Sequence, residues 1–344
     1  MSAMVSRPTI MDLAKQAGVS AATVDRVLNQ RLPVRADTAE RVVQAAEAIG
    51  FHATGLLRQR LTETPRRKFG FLLQKPDAFY QVFGAELAAA TRAAHTIEGK
   101  PLVEFMEDVV PGIIAEKLLQ TARKVDAIAL VTIDHPLINE AVEAVIASGK
   151  PVFTLLSNIT SPSCCGHFGA DSRKCGRIAG WTISRIARHA GKIGILVGSH
   201  RYLNQELSEI SFRTYMREFA PEFQLLEPIV NLDDDHIAYD AITEMIGSNA
   251  DLVGIYVSGG GQEGLIKALR ERQTGERLVS VCNELTSATR AALLDGVIDL
   301  TLGTPFAALS RRLVEAMAKA TMGADMAHLP PLMLPPEIHL SENI

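Results

Sequence analysis

Eight short apolar runs recur from residue 69 onwards, separated by stretches with the spacing of amphipathic helices. The runs cover residues 69–73, 102–105, 127–131, 152–156, 193–197, 224–227, 252–257 and 278–282. Near-continuous apolar strands that alternate with helices are typical of parallel sheets covered on both faces. Eight units are too many for one simple sheet, so the pattern predicts an α/β body of two doubly wound parallel-sheet lobes.

A different pattern precedes this body, because residues 9–29 read as two short helices joined by a tight turn. Thr9 is placed to cap the first helix, Gly18 suits the left-handed conformation that ends it, and Ser20 is placed to cap the second. The apolar residues of the second helix point inward, which leaves small and polar residues on the other face. This layout predicts an all-α helix-turn-helix head that reads DNA.

The same segment resembles the start of LacI-family regulators, whose motif runs Thr-Ile-x-Asp-Val-Ala-x-x-Ala-Gly-Val-Ser-x-x-Thr-Val-Ser-Arg-Val-Leu-Asn. All but two specified positions match, and the departures are Leu13 for Val and Asp25 for Ser. An acid beside DNA repels phosphate. Asp25 should therefore face away, accept a hydrogen bond from a cytosine amino group, or hold Arg26 in position.

A third helix over residues 36–49 completes the predicted DNA-binding domain of residues 1–50, and residues 51–67 lie where the family has its hinge and linker. Residues 1–68 hold 11 Lys and Arg against 6 Asp and Glu, whereas the remainder holds 24 against 33. A basic head on an acidic body is expected when only the small domain meets phosphate.

The hinge departs from the family pattern, since Ala53 and Thr54 replace its Pro and Asn and Arg60 aligns with its minor-groove leucine. Leu57 or Leu61 could serve if the helix is shifted, and an arginine can itself enter a narrow minor groove. The candidate DNA contacts are Thr9, Ser20, Ala21, Ala22, Thr23, Asp25, Arg26, Asn29, Arg35, Leu57, Arg58 and Arg60.

The family resemblance extends into the body, where residues 168–179 and 283–299 contain similar signatures. It implies an effector-binding and dimerisation domain over residues 68–344, with the two-lobed fold of periplasmic sugar-binding proteins. In that fold the chain crosses between lobes three times, here near residues 163, 300 and 326. The expected lobes are 68–163 with 300–325, and 164–299 with 326–344.

Ligands of such sheets bind just past the carboxyl ends of the strands. Phe79 and Tyr80 fall where sugar-binding relatives often place stacking aromatics, whose faces bind the apolar side of a sugar. An arginine that the family often uses to anchor a ligand is replaced by Ser208, and Arg201 is a candidate substitute. The candidate effector contacts are Phe79, Tyr80, Asp134, His135, Ser157, Asn158, His200, Arg201, Tyr202, Glu206, Asn283 and Glu284.

Residues 259–264 offer a competing interpretation, because Gly-Gly-Gly-Gln-Glu-Gly satisfies the dinucleotide pattern Gly-x-Gly-x-x-Gly and Glu284 follows about 20 residues later. A glycine turn at the edge of a cleft serves the approach of another ligand equally well. A nicotinamide-dependent oxidoreductase thus stays open as an alternative. So does a sugar-binding protein with a vestigial head, because of Arg60 and the absent hinge proline.

Several classes of protein are disfavoured by composition. The chain has no apolar run of about 18 residues that would span a membrane, and its N-terminus lacks the apolar core of a signal peptide. Its four cysteines fit a reducing cytoplasm. Cys164, Cys165, His167 and Cys175 lack the usual spacing of a zinc site. We expect a cytoplasmic protein without metal or cofactor.

Together these patterns predict a homodimeric transcription regulator of LacI type rather than an enzyme. We expect it to repress genes of carbohydrate uptake or breakdown, with two heads on a pseudo-palindromic DNA operator. A small sugar or polyol in the cleft would change operator affinity by binding the two conformations differently.

Overall fold

The computed structural model describes residues 8–29, 34, 36–55, 64–107, 109–272, 277–323 and 330–344. The chain divides into two compact units, Met1–Pro65 and Arg66–Ile344. The hinge and loop residues predicted to contact DNA lie outside the described residues, namely Arg35, Leu57, Arg58, Arg60 and the alternative wedge Leu61.

Three short helices form the first unit. They are α1 (Ile10–Ala17), α2 (Ala21–Asn29) and α3 (Ala36–Ala48). Thr9 begins α1 in a capping box, in which the carboxylate of Asp12 accepts a hydrogen bond of 2.9 Å from the Thr9 backbone N–H. Gly18 ends α1 with a φ of 64°, the left-handed conformation that glycine adopts without steric cost. The predicted turn between the first two helices is therefore present.

The third helix closes a small apolar core. Leu13, Val24 and Val42, one from each helix, have no exposed surface. Arg41 of α3 donates a hydrogen bond of 2.8 Å to the carbonyl oxygen of Ala17, which is one of the last carbonyls of α1 and has no partner within that helix. Packing and hydrogen bonding together thus hold the helix-turn-helix in shape.

The second unit alternates strands with helices. Its strands are β1 (Arg66–Leu73), β2 (Glu98–Phe105), β3 (Ala127–Leu130), β4 (Val152–Leu155), β5 (Gly166–Ala170), β6 (Lys192–Val197), β7 (Gln224–Leu225), β8 (Ile229–Val230), β9 (Leu252–Val257), β10 (Val279–Asn283), β11 (Leu300–Gly303), β12 (Leu332–Leu334) and β13 (Glu337–His339). Its helices are α4 (Ala78–Ala93), α5 (Pro111–Ala122), α6 (Pro136–Ala147), α7 (Ser172–Ile186), α8 (Leu203–Phe219), α9 (Asp235–Ser248), α10 (Gln262–Glu271), α11 (Ser287–Leu294) and α12 (Phe306–Thr321). Within the described part of the chain, no helix is both long and apolar enough to cross a bilayer.

These strands form two sheets. The first has the order β12-β5-β4-β3-β1-β2 and is parallel throughout. The second has the order β13-β11-β10-β9-β6-β7, with β8 also paired to β6, and its antiparallel pairing is that of β13 with β11. Neighbouring residues such as Phe71 and Leu72 pack into cores on opposite faces of a sheet. This confirms the predicted body of two doubly wound lobes.

The chain crosses between the lobes later than the predicted residues 163, 300 and 326. β5 still belongs to the first sheet and β11 to the second, while β12 pairs with β5 and β13 with β11. The crossings therefore follow β5 and β11 and lie between β12 and β13, which corrects the predicted lobe limits. The sequence Gly-His-Phe-Gly-Ala of β5 contains two glycines, so a search for apolar runs does not predict it as a strand.

We expect Gly176→Ala to destabilise the second unit, because α7 and α8 pack closely at this residue. An added Cβ would overlap the carbonyl oxygen of Ser208 and lie 2.8 Å from the backbone nitrogen of Phe212. Separating the helices should lower the free energy of unfolding by about 1–3 kcal/mol, measured by urea denaturation.

The matched control is Gly247→Ala, which adds a Cβ to another helical glycine with open space around it. This variant should be as stable as the parent or more stable by at most about 1 kcal/mol, because alanine favours the helix. Equal unfolding curves for the two variants would contradict the close packing of α7 on α8.

Candidate functional site

The second helix of the first unit presents the residues that the sequence predicts as DNA contacts. Ala22, Arg26 and Asn29 are exposed, and Ala21, Thr23 and Asp25 are half-buried. The Ser20 hydroxyl accepts a hydrogen bond of 3.1 Å from the Thr23 backbone N–H, and the Thr9 hydroxyl donates one of 2.7 Å to Asp12. Ser20 and Thr9 therefore act as helix caps, while Arg26 is the exposed cation on this face.

Asp25 has a hydrogen-bond partner within its own helix. Its Oδ1 accepts a hydrogen bond of 2.6 Å from Nδ2 of Asn29, one helical turn later. The carboxylate thus holds the amide of Asn29 rather than the guanidinium of Arg26.

In the second unit, the carboxyl ends of strands from both lobes enclose a cavity of about 190 Å³. The segments after β1, β4, β6, β8, β9, β10 and β11 all contribute to its wall. This is the edge at which doubly wound sheets bind ligands. The volume lies below the roughly 300–1,000 Å³ of pockets for drug-sized molecules, which fits a small ligand.

Two aromatic residues at the start of α4 form one wall of the cavity. Asp77 caps this helix by accepting a hydrogen bond of 2.8 Å from the Tyr80 backbone N–H. Phe79 and Tyr80 both line the cavity, and their rings meet edge to face with centroids 4.9 Å apart. Phe79 also contacts Phe306, at a centroid distance of 5.2 Å. The arrangement provides an apolar surface beside polar groups, as sugar binding requires.

Asp233 organises the opposite wall, in the second lobe. Its Oδ1 accepts hydrogen bonds from the backbone N–H of Gly260 at 2.6 Å and from Nε2 of Gln205 at 3.3 Å. Oε1 of Gln205 in turn accepts one of 2.6 Å from the backbone N–H of Gly198. Burial raises the pKa of Asp233. A Cβ at Gly259 would lie 2.6 Å from Asp233 Oδ1, so the glycine turn makes room for a side chain of this same protein.

The helix N-terminus after this turn already holds an anion. Oδ1 of Asp235 accepts hydrogen bonds from the backbone N–H groups of Glu263 at 3.0 Å and Gly264 at 3.3 Å, in the first turn of α10. These are the groups that would bind a pyrophosphate in a dinucleotide fold. The geometry of residues 259–264 therefore favours a structural turn at the edge of the cleft over a dinucleotide site.

Glu284 lies at the base of the cavity in a left-handed backbone conformation, with a φ of 70°. Its carboxylate accepts hydrogen bonds from the backbone N–H of Thr304 at 2.9 Å and from the Thr304 hydroxyl at 2.6 Å. Burial raises the pKa of Glu284 to about 7. Its neighbour Asn283 lines the same cavity and donates a hydrogen bond of 2.8 Å to the carbonyl oxygen of Ser258.

Contacts between the lobes separate this cavity from a second one of about 520 Å³. Nε2 of Gln74 in the first lobe donates to the hydroxyl of Tyr202 in the second, and Lys75 Nζ lies 3.4 Å from the carbonyl oxygen of Asp233. The Tyr202 ring is buried among apolar residues of the first lobe. Arg201 lines the second cavity rather than the first. The lobes are therefore in contact on one side of the cleft.

Both units match families of known proteins. A family model described as "Periplasmic binding protein domain" matches residues 114–325, and one described as "Bacterial regulatory proteins, lacI family" matches residues 9–53. The chain belongs to the periplasmic binding protein domain family. It also carries a lacI-family helix-turn-helix domain, which confirms the resemblance seen in the sequence.

Individual relatives match different parts of the chain. The HTH-type transcriptional regulator GalS of Salmonella typhimurium is 37% identical over 86 residues, which span 25% of this chain and 24% of that regulator. A solute binding protein of Agrobacterium vitis bound with α-D-tagatopyranose has a TM-score of 0.72 at 17% identity, covering 81% of this chain and 96% of that one. GanP, a glucose-galactose binding protein of Geobacillus stearothermophilus, has a TM-score of 0.72 at 15% identity, covering 81% and 99%. The two structures show a shared fold.

Six predicted effector contacts do not line the 190 Å³ cavity; Arg201 lines the second cavity, and the other five have other partners or positions. Asp134 accepts hydrogen bonds from Asn139 and Thr160, His135 caps α6, Asn158 accepts from the Ile159 N–H, His200 lies 3.2 Å from Glu209, and Glu206 lies in the first turn of α8. Polar side chains beside helix starts are readily used as caps, which is why position after a strand overestimates ligand contact.

Other lining residues are absent from the sequence-based set. They include Gln74, Lys75, Asp77, Asn204, Gln205, Asp233, Asp235, Gln262 and Thr304. Most follow an apolar strand within a few residues, and that position is the signal that points to them. Asp233 follows β8, which has two residues and is too short to appear as an apolar run.

The raised pKa of Glu284 predicts a pH-dependent stability. Between its ordinary pKa of 4.5 and its folded value of about 7, the folded protein keeps a proton that the unfolded chain releases. The free energy of unfolding should therefore fall as pH rises through this window, by roughly 3 kcal/mol. Glu284→Gln cannot titrate and should lose this part of the slope, measured by urea unfolding at about pH 5 and pH 8.

Glu227→Gln is the matched control, because the Glu227 side chain is 95% exposed and should leave the slope unchanged. An identical pH dependence in the parent and in the Glu284→Gln variant would show that Glu284 titrates as it does in water.

Proposed function

We propose that this protein is a transcription regulator that binds operator DNA through its first unit and a small sugar-like effector through its second. The observation that carries the proposal is the union, in one chain, of a lacI-family helix-turn-helix with a two-lobed domain that encloses a ligand-sized cavity. It is proposed to act in the cytoplasm as a homodimeric repressor of genes for carbohydrate uptake or breakdown, and not as an enzyme.

On the DNA side, the exposed start of α2 provides the groove-reading surface. Recognition helices present their N-terminal residues to base edges in the major groove. Small residues at Ala21 and Ala22 allow close approach, and the exposed cation of Arg26 is placed for a phosphate or a guanine. Two such heads, paired in a dimer, suit a pseudo-palindromic operator.

On the effector side, the cavity has wall residues from both lobes, so a bound molecule would touch both. Such a ligand stabilises the arrangement in which the lobes are close. The size of the effect is set by the difference between its affinities for the close and the open arrangement. The side-chain contacts that join the lobes beside the cavity include those of Gln74 with Tyr202 and of Lys75 with Asp233. A sugar with several hydroxyl groups would add more bonds across the same gap and thereby change operator affinity.

Titration of the full-length protein against DNA from upstream of its own gene tests this function. At physiological salt we expect saturable binding to one inverted repeat, and a shift in affinity when a pool of sugars and polyols is added. Arg26→Ala should weaken this binding about 10-fold or more, because an arginine contact to a base contributes about 1–3 kcal/mol.

Arg185→Ala removes an exposed arginine of the second unit and is the control that should leave DNA binding unchanged. Weak binding to every fragment, fading with salt and equal for the parent and the Arg26→Ala variant, would contradict an operator-reading head. Sugar binding without operator preference would instead indicate a sugar-binding protein.

A further inference from the structure

One helix of the second lobe carries large exposed side chains on the face that is turned away from the core. They are Arg173, Arg177, Trp181 and Arg185 of α7, which follow one another at intervals of four residues and are all exposed. Side chains at this spacing lie on one face of a helix. The opposite face of α7 is buried in the core of the second lobe. We call these four exposed residues the basic stripe.

The basic stripe stands out against an acidic unit. Residues 172–192 hold six Lys and Arg and no Asp or Glu, whereas the chain beyond residue 68 holds 24 Lys and Arg against 33 Asp and Glu. Nη1 of Arg177 lies 3.4 Å from Oε2 of Glu218, but within the described ranges neither Arg173 nor Arg185 forms an ion pair. Two guanidinium groups of the stripe are therefore free to bind an anion.

These charges do not stabilise the helix that carries them. Arg173 and Lys174 lie in the first turn of α7, where the helix dipole disfavours cations, and the N-cap Asp171 offsets this at 3.7 Å from Lys174 alone. Arg173 and Arg177 are like charges one turn apart, which repel each other. Residues that oppose the local preferences of an element are expected where a function requires them. The stripe therefore indicates a binding surface rather than a structural device.

Aromatic side chains accompany the arginines of the stripe. Trp181 is 53% exposed, and Phe219 at the end of α8 is 59% exposed. The Arg177 guanidinium lies 5.5 Å from the centre of the Phe219 ring, so an apolar surface continues from the stripe onto α8. Tryptophan and arginine are among the residues most enriched at the strongest contacts of protein–protein interfaces.

The chemistry of the stripe restricts its partner. A guanidinium binds a carboxylate through two parallel hydrogen bonds. Contacts to the phosphates of a nucleic acid are made by cations and hydrogen-bond donors and need no exposed tryptophan among them. Exposed rings between arginines therefore favour a protein that offers carboxylates and apolar side chains together.

We propose that the basic stripe is a docking surface for an acidic segment of a partner protein. The guanidinium groups of Arg173 and Arg185 pair with carboxylates of that segment, and Trp181 between them packs against one of its apolar side chains. None of the four stripe residues lines the 190 Å³ cavity, so this surface is separate from the proposed effector site. It adds a protein partner to the DNA and the effector of the proposed function.

The fluorescence of Trp181 provides a direct test, because this residue is the only tryptophan of the chain. The probe is a capped synthetic peptide of repeated Glu-Glu-Leu-Glu units, added to the full-length protein. We expect saturable binding with emission moving to shorter wavelength, since Trp181 loses contact with water, and weaker binding at higher salt. A capped peptide of Lys-Lys-Leu-Lys units is the control that should not bind. Unchanged Trp181 emission with the acidic peptide would overturn the proposal.

The double variant Arg173→Glu/Arg185→Glu assigns the binding to the stripe. It should raise the Kd of the acidic peptide at least about 10-fold, because two attractive charges become repulsive. Its Tm should equal that of the parent, since neither arginine forms an ion pair in the described ranges. Trp181→Ala, followed by calorimetry because its fluorescence is lost, should weaken the peptide by a similar factor.

Arg123→Glu/Arg312→Glu is the matched control, which reverses two exposed arginines of the first lobe and should leave the Kd unchanged. An equal Kd in the parent and in the Arg173→Glu/Arg185→Glu variant would show that the peptide binds elsewhere and would overturn the assignment.

Two further probes decide between classes of partner. Non-operator duplex DNA and vesicles of phosphatidylglycerol are each added to the parent and to the Arg173→Glu/Arg185→Glu variant. If either probe changes Trp181 emission in the parent alone while the acidic peptide does not bind, the stripe serves a nucleic acid or a membrane and the proposal is wrong. Operator binding of the variant should equal that of the parent, because the stripe lies in the second unit. Absent operator binding in the parent would instead concern the proposed function.

Discussion

The buried carboxylate of Asp233 is the interaction on which the shape of the cleft depends. It accepts a hydrogen bond from the backbone of Gly260 directly, and it is connected to the backbone of Gly198 through Gln205. These bonds hold the segments after β6, β8 and β9 together at one edge of the sheet. Burial disfavours the charged form of this carboxyl and raises its pKa, and the donors around it reduce that cost. Its backbone carbonyl also lies 3.4 Å from Lys75 Nζ of the first lobe, so the same residue links the wall of the cavity to the contact between the lobes.

Large parts of the fold follow from local chemistry that is visible in the sequence. A cap at Thr9 and a left-handed Gly18 are enough to define a short helix and its turn, and apolar runs reveal the central strands of both sheets. The lobe crossings are harder, because they depend on β5, β11 and β12, which are short or glycine-containing strands. Such strands owe their existence to neighbours in the sheet rather than to their own composition, so their place is set by tertiary pairing.

The residues of the candidate site also differ in how well the sequence predicts them. Residues predicted from strand ends line the cavity where the side chain has no competing hydrogen-bond partner, as for Phe79 and Ser157. Where a helix start offers an unpaired N–H nearby, the side chain serves as a cap, as His135 does. Asp233 cannot be identified from its position after a strand, because the strand that precedes it has only two residues. Sequence position therefore identifies the edge that forms the cavity, and competition for hydrogen bonds decides which side chains remain free to line it.

In the proposed regulator, the effect of a ligand depends on the contacts between the lobes. Tyr202 buries its ring in the first lobe while its hydroxyl accepts from Gln74, so the close arrangement of the lobes already has contacts of its own. A ligand then has only to add the difference in free energy between close and open lobes, rather than to create the close state unaided. If operator binding favours one of these arrangements, coupling is reciprocal, and the operator must change effector affinity by the same factor by which the effector changes operator affinity. In the proposed regulator, the residues that join the lobes beside the cavity therefore contribute to the strength of that coupling.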